Sequence, residues 1–179
     1  MSDSFSVKNS VGVRRTISGL DRSLWDLWCS RYSASKGDLE LINRSVVARA
    51  VLAYSYVVAE EMEKSESLEA VLTKFSYKLP VVPEDVLSAL PSRDSTVLAI
   101  KLPLDVAEKY FDWHARLGAS KGNWTRGKLS HSVLWLFRYG LRALLHEDEK
   151  FVFEIFTDQA AEEEIQGFRR GRPDKDIET

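Results

Sequence analysis

Two stretches of the chain place apolar residues at helical spacing, each directly after a short alternating run. In residues 21–33 the positions Leu24, Leu27, Trp28 and Tyr32 share one face of a helix and predict an amphipathic element. A similar stripe follows Pro103, a residue suited to the first turn of a helix, and consists of Val106, Tyr110, Trp113, His114 and Leu117. The pattern therefore predicts one helix of the same kind in each stretch.

Each stretch continues into a second, more strongly apolar segment. The first begins with Asn43, whose side chain suits a helix N-cap, and runs to Lys64. The second begins with Ser130 as its cap and runs to Leu145. Both segments are apolar on more than one side, which is typical of helices at the centre of a core.

The alternating runs predict two short β-strands. In the second run the apolar parity holds Leu98, Ile100 and Leu102, and the other parity holds Val97, Ala99 and Lys101. In the first run the apolar parity holds Val11, Val13 and Ile17, and the other parity holds Arg14 and Thr16. Because Arg15 falls among the apolar positions, the register of the first strand stays open.

The two stretches form an internal repeat. Both contain Leu-Asp, at 20–21 and 104–105, and both carry Ala-Ser-Lys-Gly between their helices, at 34–37 and 119–122. The matched features lie 84 to 87 residues apart along the chain. The same order of strand, helix, loop and capped helix in both stretches predicts a duplicated unit.

Prolines and changes in polarity divide the rest of the chain. We expect an amphipathic helix at Ser67–Tyr77, a short helical turn at Glu84–Leu90 and a capping helix at Phe151–Ile165. The predicted organisation is a flexible N-terminus over 1–10, a first repeat over 11–64, a linker with a helix over 65–95, a second repeat over 96–147, a C-terminal helix over 148–166 and a disordered tail over 167–179.

Composition and charge narrow the class of protein. No apolar run approaches the roughly 20 residues of a membrane helix, the N-terminus lacks a signal pattern, and the single cysteine, Cys29, cannot form an internal disulfide. These features favour the cytoplasm and no membrane contact. The net charge of −2 is unevenly spread, because residues 96–145 carry eight Lys and Arg against three Asp and Glu. Local charge governs phosphate binding, so a near-neutral total does not exclude it.

The sequence shows no pattern typical of catalysis or metal binding. It lacks a phosphate-binding glycine loop and a nucleotide fingerprint, and His114, His131 and His146 have no metal-ligand spacing. We therefore expect no catalytic residues, no metal and no cofactor, and a protein that is not an enzyme.

Two segments resemble the ribbon-helix-helix (Arc/MetJ-type) family of DNA-binding proteins. Ile100-Lys101-Leu102-Pro103 is similar to the end of the family's strand, and Asn43-Arg44-Ser45-Val46-Val47-Ala48-Arg49-Ala50 is similar to the start of its second helix. The resemblance covers the two repeats and implies a mainly α fold with a short two-stranded antiparallel β-ribbon. Two repeats in one chain would form one intramolecular pseudo-dimer. Tandem units of this kind resemble accessory proteins of conjugation and T-DNA processing as well as transcriptional regulators.

The resemblance also implies which residues contact double-stranded DNA. Outward strand residues would reach base edges in the major groove, and these are Arg14, Thr16, Ala99 and Lys101. Arg15 is included among the base contacts, although the open register leaves the side of its side chain undecided. The starts of the second helices and nearby cations would bind phosphates, and these are Asn43, Arg44, Ser45, Ser130, His131, Ser132, Lys36, Lys121, Arg126 and Lys128. Because Val97 and Ala99 offer no side-chain hydrogen bonds, the second strand is expected to read little sequence.

Alternatives of other classes stay open on the sequence alone. One is a helical protein-interaction module whose acidic segments bind a protein partner. Another keeps the ribbon fold but uses it only for assembly. A pseudo-dimer is expected to be a monomer, and the sequence leaves open whether it dimerises further on DNA.

Overall fold

A computed structural model describes residues 9–36, 44–118 and 126–165 of the 179-residue chain. Within them are two strands and seven α-helices, in the order β1 (Ser10–Ile17), α1 (Gly19–Lys36), α2 (Arg44–Ser65), α3 (Leu68–Ser76), α4 (Glu84–Ala89), β2 (Thr96–Pro103), α5 (Leu104–Arg116), α6 (Arg126–Ala143) and α7 (Glu149–Ile165). A 3-10 turn, Leu144–His146, follows α6. The prediction of a mainly helical protein with a two-stranded antiparallel sheet is confirmed.

Strands β1 and β2 pair as an antiparallel ribbon although four helices separate them in sequence. Arg14 lies opposite Ala99 at the middle of the ribbon. The residues of the inner face are buried in the core, and they include Val13, Ile17, Leu98, Ile100 and Leu102. Because successive side chains of a strand point to opposite sides, the residues between them form the outer face. The alternation read from the sequence therefore assigns the faces of β2 correctly, and the structure fixes the register of β1 that Arg15 left open.

Helices α2 and α6 cross at close range in the centre of the molecule. An ideal Cβ on Gly140 would lie 2.7 Å from Cγ1 of Val51 and 2.8 Å from the Val51 carbonyl oxygen, so a larger residue would push the helices apart. The Ser55 hydroxyl donates to the Leu136 carbonyl across the same crossing, at 2.6 Å. Both helices are thus central, as their apolar character on more than one side predicts.

Each strand of the ribbon lies against the second helix of the other repeat. On β1, Arg15 donates from Nη1 to the Ser130 hydroxyl of α6, at 3.5 Å. On β2, the Lys101 carbonyl accepts from Arg49 Nη1 of α2, at 3.4 Å. The two repeats therefore share one core instead of closing separate ones.

Helices α7 and α3 each place one phenylalanine against the buried tryptophan of a first helix. Phe156 of α7 meets the buried Trp28 of α1 edge-on, with ring centroids 6.0 Å apart. Phe75 of α3 meets the buried Trp113 of α5 in the same manner, at 5.0 Å. Aromatic rings favour this edge-to-face arrangement, and each pair removes a large apolar area from water.

The segment before β2 is anchored on the start of α1, and this anchoring brings the second strand beside the first. An ideal Cβ on Gly19 would lie 1.8 Å from the Arg93 carbonyl oxygen, so the close approach requires glycine. The Ser23 hydroxyl donates to the Pro91 carbonyl at 2.8 Å. Arg22 donates from Nη1 to the Asp94 carbonyl at 3.4 Å.

The start of α6 differs from the prediction. The helix includes Arg126, four residues before the predicted cap at Ser130. Only the first turn of a helix has N–H groups without a partner inside the helix. Ser130, His131 and Ser132 lie after that turn, so their own N–H groups are not free to bind a phosphate. For α2, the structure has helix from Arg44 onward, and the predicted cap Asn43 lies outside the described residues.

Candidate nucleic-acid interface

The outer face of the ribbon is a solvent-exposed strip on the side opposite the core. Going along it, Gly12 is opposite Lys101, Arg14 is opposite Ala99, and Thr16 is opposite Val97. All six of these residues are exposed. The strip thus combines cations with small and apolar residues, and it holds four of the five predicted base-contact residues: Arg14, Thr16, Ala99 and Lys101.

Arg15, the fifth predicted base-contact residue, lies on the inner face. Its parity places it with Val13 and Ile17, and its side chain is half-buried. Its guanidinium donates to the Ser130 hydroxyl at 3.5 Å. The inclusion of Arg15 among the base contacts is therefore corrected, because the strand period of two turns this side chain toward α6.

Gly12 leaves open space on the outer face. No described atom lies within 4 Å of an ideal Cβ at this position. A Cβ therefore fits at residue 12 without displacing a described neighbour. This makes Gly12 a suitable position for adding a group to the outer face.

The start of α2 is held against α1 by Arg44. Its guanidinium forms an ion pair with Asp26 and lies over the Trp25 ring, 4.2 Å from the centroid. The Trp25 indole Nε1 in turn donates to the Arg44 carbonyl at 3.1 Å. The Arg44 side chain keeps 39% of its surface exposed, whereas the neighbouring Ser45 is buried. Of these two predicted phosphate contacts, Arg44 is the one that solvent reaches.

The predicted phosphate contacts near the start of α6 are mostly covered. Ser130 and Ser132 are buried, and the Ser132 hydroxyl donates to the Tyr110 carbonyl at 2.7 Å. His131 and Lys128 are half-buried. Lys36 and Arg126 lie in α1 and α6, with side chains outside the described part, and Lys121 lies outside the described residues altogether.

Two histidines and a tryptophan form a ring cluster beneath the ribbon that the sequence did not indicate. The His114 ring lies 5.3 Å from that of His131 and 4.6 Å from that of Trp135. Burial lowers the pKa of His114 to about 4, and the neighbouring His131 adds to this effect. Burial, followed by the charges of Arg15 and Arg138, also lowers the pKa of His131. Both rings therefore stay neutral at pH 7.

A buried ion pair joins α2 to α7 and contacts the backbone of β2. Arg49 of α2 binds Glu163 of α7 through two nitrogens, with Nη2 to Oε2 at 3.0 Å, and its Nη1 reaches the Lys101 carbonyl. Gln159 donates to the same carboxylate at 3.0 Å. The sequence carried one signal for this pair, because Glu163 shares a helical face with the buried Val152 and Phe156.

The described residues hold no group of three or more His, Cys, Asp or Glu side chains that could bind a metal ion. Among the helices described here, none combines the length and the apolar character that crossing a membrane requires. No protein-family model, no curated protein and no solved structure matched the chain.

Proposed function

We propose that the chain is a double-stranded DNA-binding protein whose β1–β2 ribbon enters the major groove. The observation that supports this most is the outer face of the ribbon. It presents Arg14, Thr16 and Lys101 to solvent on a two-stranded element whose other face is fixed in the core. A two-stranded ribbon fits the width of the major groove, and Arg and Lys donate to the acceptors on guanine.

The tandem ribbon-helix-helix arrangement is part of the proposal. It is supported by the shared core, in which β1 lies against α6 and β2 touches α2. It is also supported by burial at matched positions of the two first helices: Trp25 with Tyr110, and Trp28 with Trp113. In this arrangement one chain supplies both strands of the ribbon, so DNA binding does not require a second copy.

Phosphate contacts in this proposal come from the flanks of the ribbon. Arg44 at the start of α2 and Lys128 in the first turn of α6 are the described candidates, and both are in part open to solvent. Cations near a helix start work together with its unbonded N–H groups on a phosphate. The biological role that we propose is a transcriptional regulator or an accessory factor in DNA processing.

The test is fluorescence anisotropy with labelled mixed-sequence duplex DNA, titrated at several salt concentrations. We expect binding that weakens with salt, because each neutralised phosphate contributes about −0.9 to the slope of log K against log salt. The double variant Arg14→Ala with Lys101→Ala should bind at least about tenfold more weakly, since one good guanine contact is worth about 1–3 kcal/mol. The double variant Lys78→Ala with Lys150→Ala removes the same charge from exposed positions elsewhere, and should bind nearly as the parent does.

A second pair of variants tests the ribbon without removing a side chain. Gly12→Glu adds a carboxylate to open space on the outer face, so the fold should persist while the added charge repels phosphates. Gly12→Ala, which adds only a methyl group, should retain binding. Well-folded parent protein that binds no duplex at low salt would overturn the proposal and favour the protein-interaction alternative.

A further inference from the structure

The outer face of the ribbon has two unlike ends. Both of its cations, Arg14 and Lys101, belong to adjacent cross-strand pairs, opposite the small residues Ala99 and Gly12. The next pair along the ribbon is Thr16 with Val97, and it carries no charge. The cationic end and the uncharged end therefore differ in the chemistry that they present to a groove.

Val97 stands out because it is a large aliphatic side chain on the solvent face of the ribbon. It is 44% exposed, whereas Leu98 beside it is fully buried. Packing in the core therefore explains why position 98 is aliphatic, but not why position 97 is. The methyl groups of Val97 and Thr16 stand side by side across the ribbon and offer a small apolar surface.

In the major groove, the base edge that matches such a surface is the 5-methyl group of thymine, while guanine matches Arg and Lys. We propose that the ribbon reads a directional, non-palindromic site, with guanine at the Arg14–Lys101 end and a thymine methyl at the Thr16–Val97 end. This inference rests on the proposed DNA binding. It gives Val97 of the second strand a part in sequence recognition that hydrogen-bonding capacity alone would not give it.

The strand geometry sets the distance between the two parts of the site. Lys101 and Val97 are four residues apart on β2, which corresponds to about 13 Å along an antiparallel strand. One base-pair step rises about 3.4 Å. Because the groove runs obliquely to the helix axis, the guanine and the thymine should lie no more than about four base pairs apart.

The experiment begins with selection from a pool of duplexes with a randomised centre, using the full chain. The most enriched duplex is then made again with single thymines replaced by deoxyuridine, which removes the methyl group and keeps the base pairing and the charge. We expect a non-palindromic site in which one such replacement weakens binding about fourfold. That factor corresponds to the roughly 0.8 kcal/mol of one buried methylene-sized group.

Val97→Ala should bind the thymine and deoxyuridine duplexes with nearly equal affinity. Val57→Ala makes the same change at a valine on α2 that is 56% exposed, and should keep the parent's preference. A palindromic enriched site, or equal binding of both duplexes by the parent, would overturn the inference while DNA binding stands. Absence of binding to the whole pool at low salt would instead overturn both proposals.

Discussion

The first helices of the two repeats are buried alike, but their buried tryptophans differ in the hydrogen bonds of the indole N–H. Trp28 and Trp113 occupy matched, fully buried positions, each against one phenylalanine. The Trp28 indole Nε1 donates to the Leu141 carbonyl at 3.1 Å. The Trp113 indole Nε1 is buried with no hydrogen-bond partner among the described residues. Both positions therefore hold the same apolar volume, but only Trp28 makes a hydrogen bond to a described residue.

The phenylalanines that pack against the two tryptophans come from different parts of the chain. Helix α7, which supplies Phe156, follows both repeats in the chain, whereas helix α3, which supplies Phe75, lies between them. Helices α7 and α3 have different sequences, yet Phe156 and Phe75 both meet their tryptophan edge-to-face. Each buried tryptophan thus packs against a phenylalanine that comes from a helix outside the two repeats.

The largest effect is expected from removing these phenylalanines. Phe75→Ala and Phe156→Ala should each lower the free energy of unfolding by about 3–5 kcal/mol, because each leaves a cavity next to a buried tryptophan. Urea denaturation followed by circular dichroism measures both. Phe151→Ala, at a more exposed site on α7, is the control and should cost much less. A small loss for Phe156→Ala beside a large one for Phe75→Ala would show that α7 is not part of the core.

A comparable loss is expected at the buried ion pair that joins α7 to α2. Glu163→Leu leaves the Arg49 guanidinium buried without its carboxylate, and should lower the free energy of unfolding by about 3 kcal/mol. Adding Arg49→Met should restore most of the loss, since apolar residues of similar size then fill the site. Glu61→Ala breaks the exposed pair with Lys64 and serves as the control, with an unchanged denaturation midpoint. A double variant no more stable than Glu163→Leu would contradict this account.

Local periodicity explains why much of the fold could be predicted. The parity of Leu98, Ile100 and Leu102 assigned both faces of β2, and the predicted helix Ser67–Tyr77 matches α3 with its Ser67 cap. The start of α6 was placed too late, because Ser130 is a good cap residue by composition, although it is buried within the helix. Propensity describes a residue alone, whereas in the structure Ser130 lies inside α6 and its hydroxyl accepts from Arg15.

The contacts around the candidate site depend on partners that are distant in sequence. Arg49 and Glu163 are 114 residues apart, and Arg15 and Ser130 are 115 apart. A hydrophobic pattern shows that a charged residue occupies an apolar face, but it does not identify the residue that will neutralise it. The outer face of the ribbon, by contrast, follows from the strand period of two alone, which is why four of its residues could be named in advance.

The unequal tryptophans give a sharper test of the comparison between repeats. Trp28→Phe and Trp113→Phe remove similar volume, but the first also removes the hydrogen bond to Leu141, and the second removes an indole donor that has no described partner. Trp28→Phe should therefore be the more destabilising by about 1 kcal/mol, the usual net worth of one hydrogen bond. The difference between the two urea midpoints measures it. Equal losses would mean that the Trp113 donor is satisfied after all.

A difference in pH dependence is expected at the next matched position, where the first repeat has Cys29 and the second has His114. Unfolding lets His114 take up a proton near pH 6.5, whereas burial lowers its pKa to about 4 in the folded chain. The unfolded state therefore binds more protons between these values, and stability should fall as the pH drops from 6.5 toward 4. The expected slope is a fraction of the limit of about 1.4 kcal/mol per pH unit for one proton. His114→Cys copies the first repeat and should flatten the slope measured by urea denaturation at pH 7, 6 and 5. Identical slopes in His114→Cys and the parent would mean that the two repeats respond alike to acid.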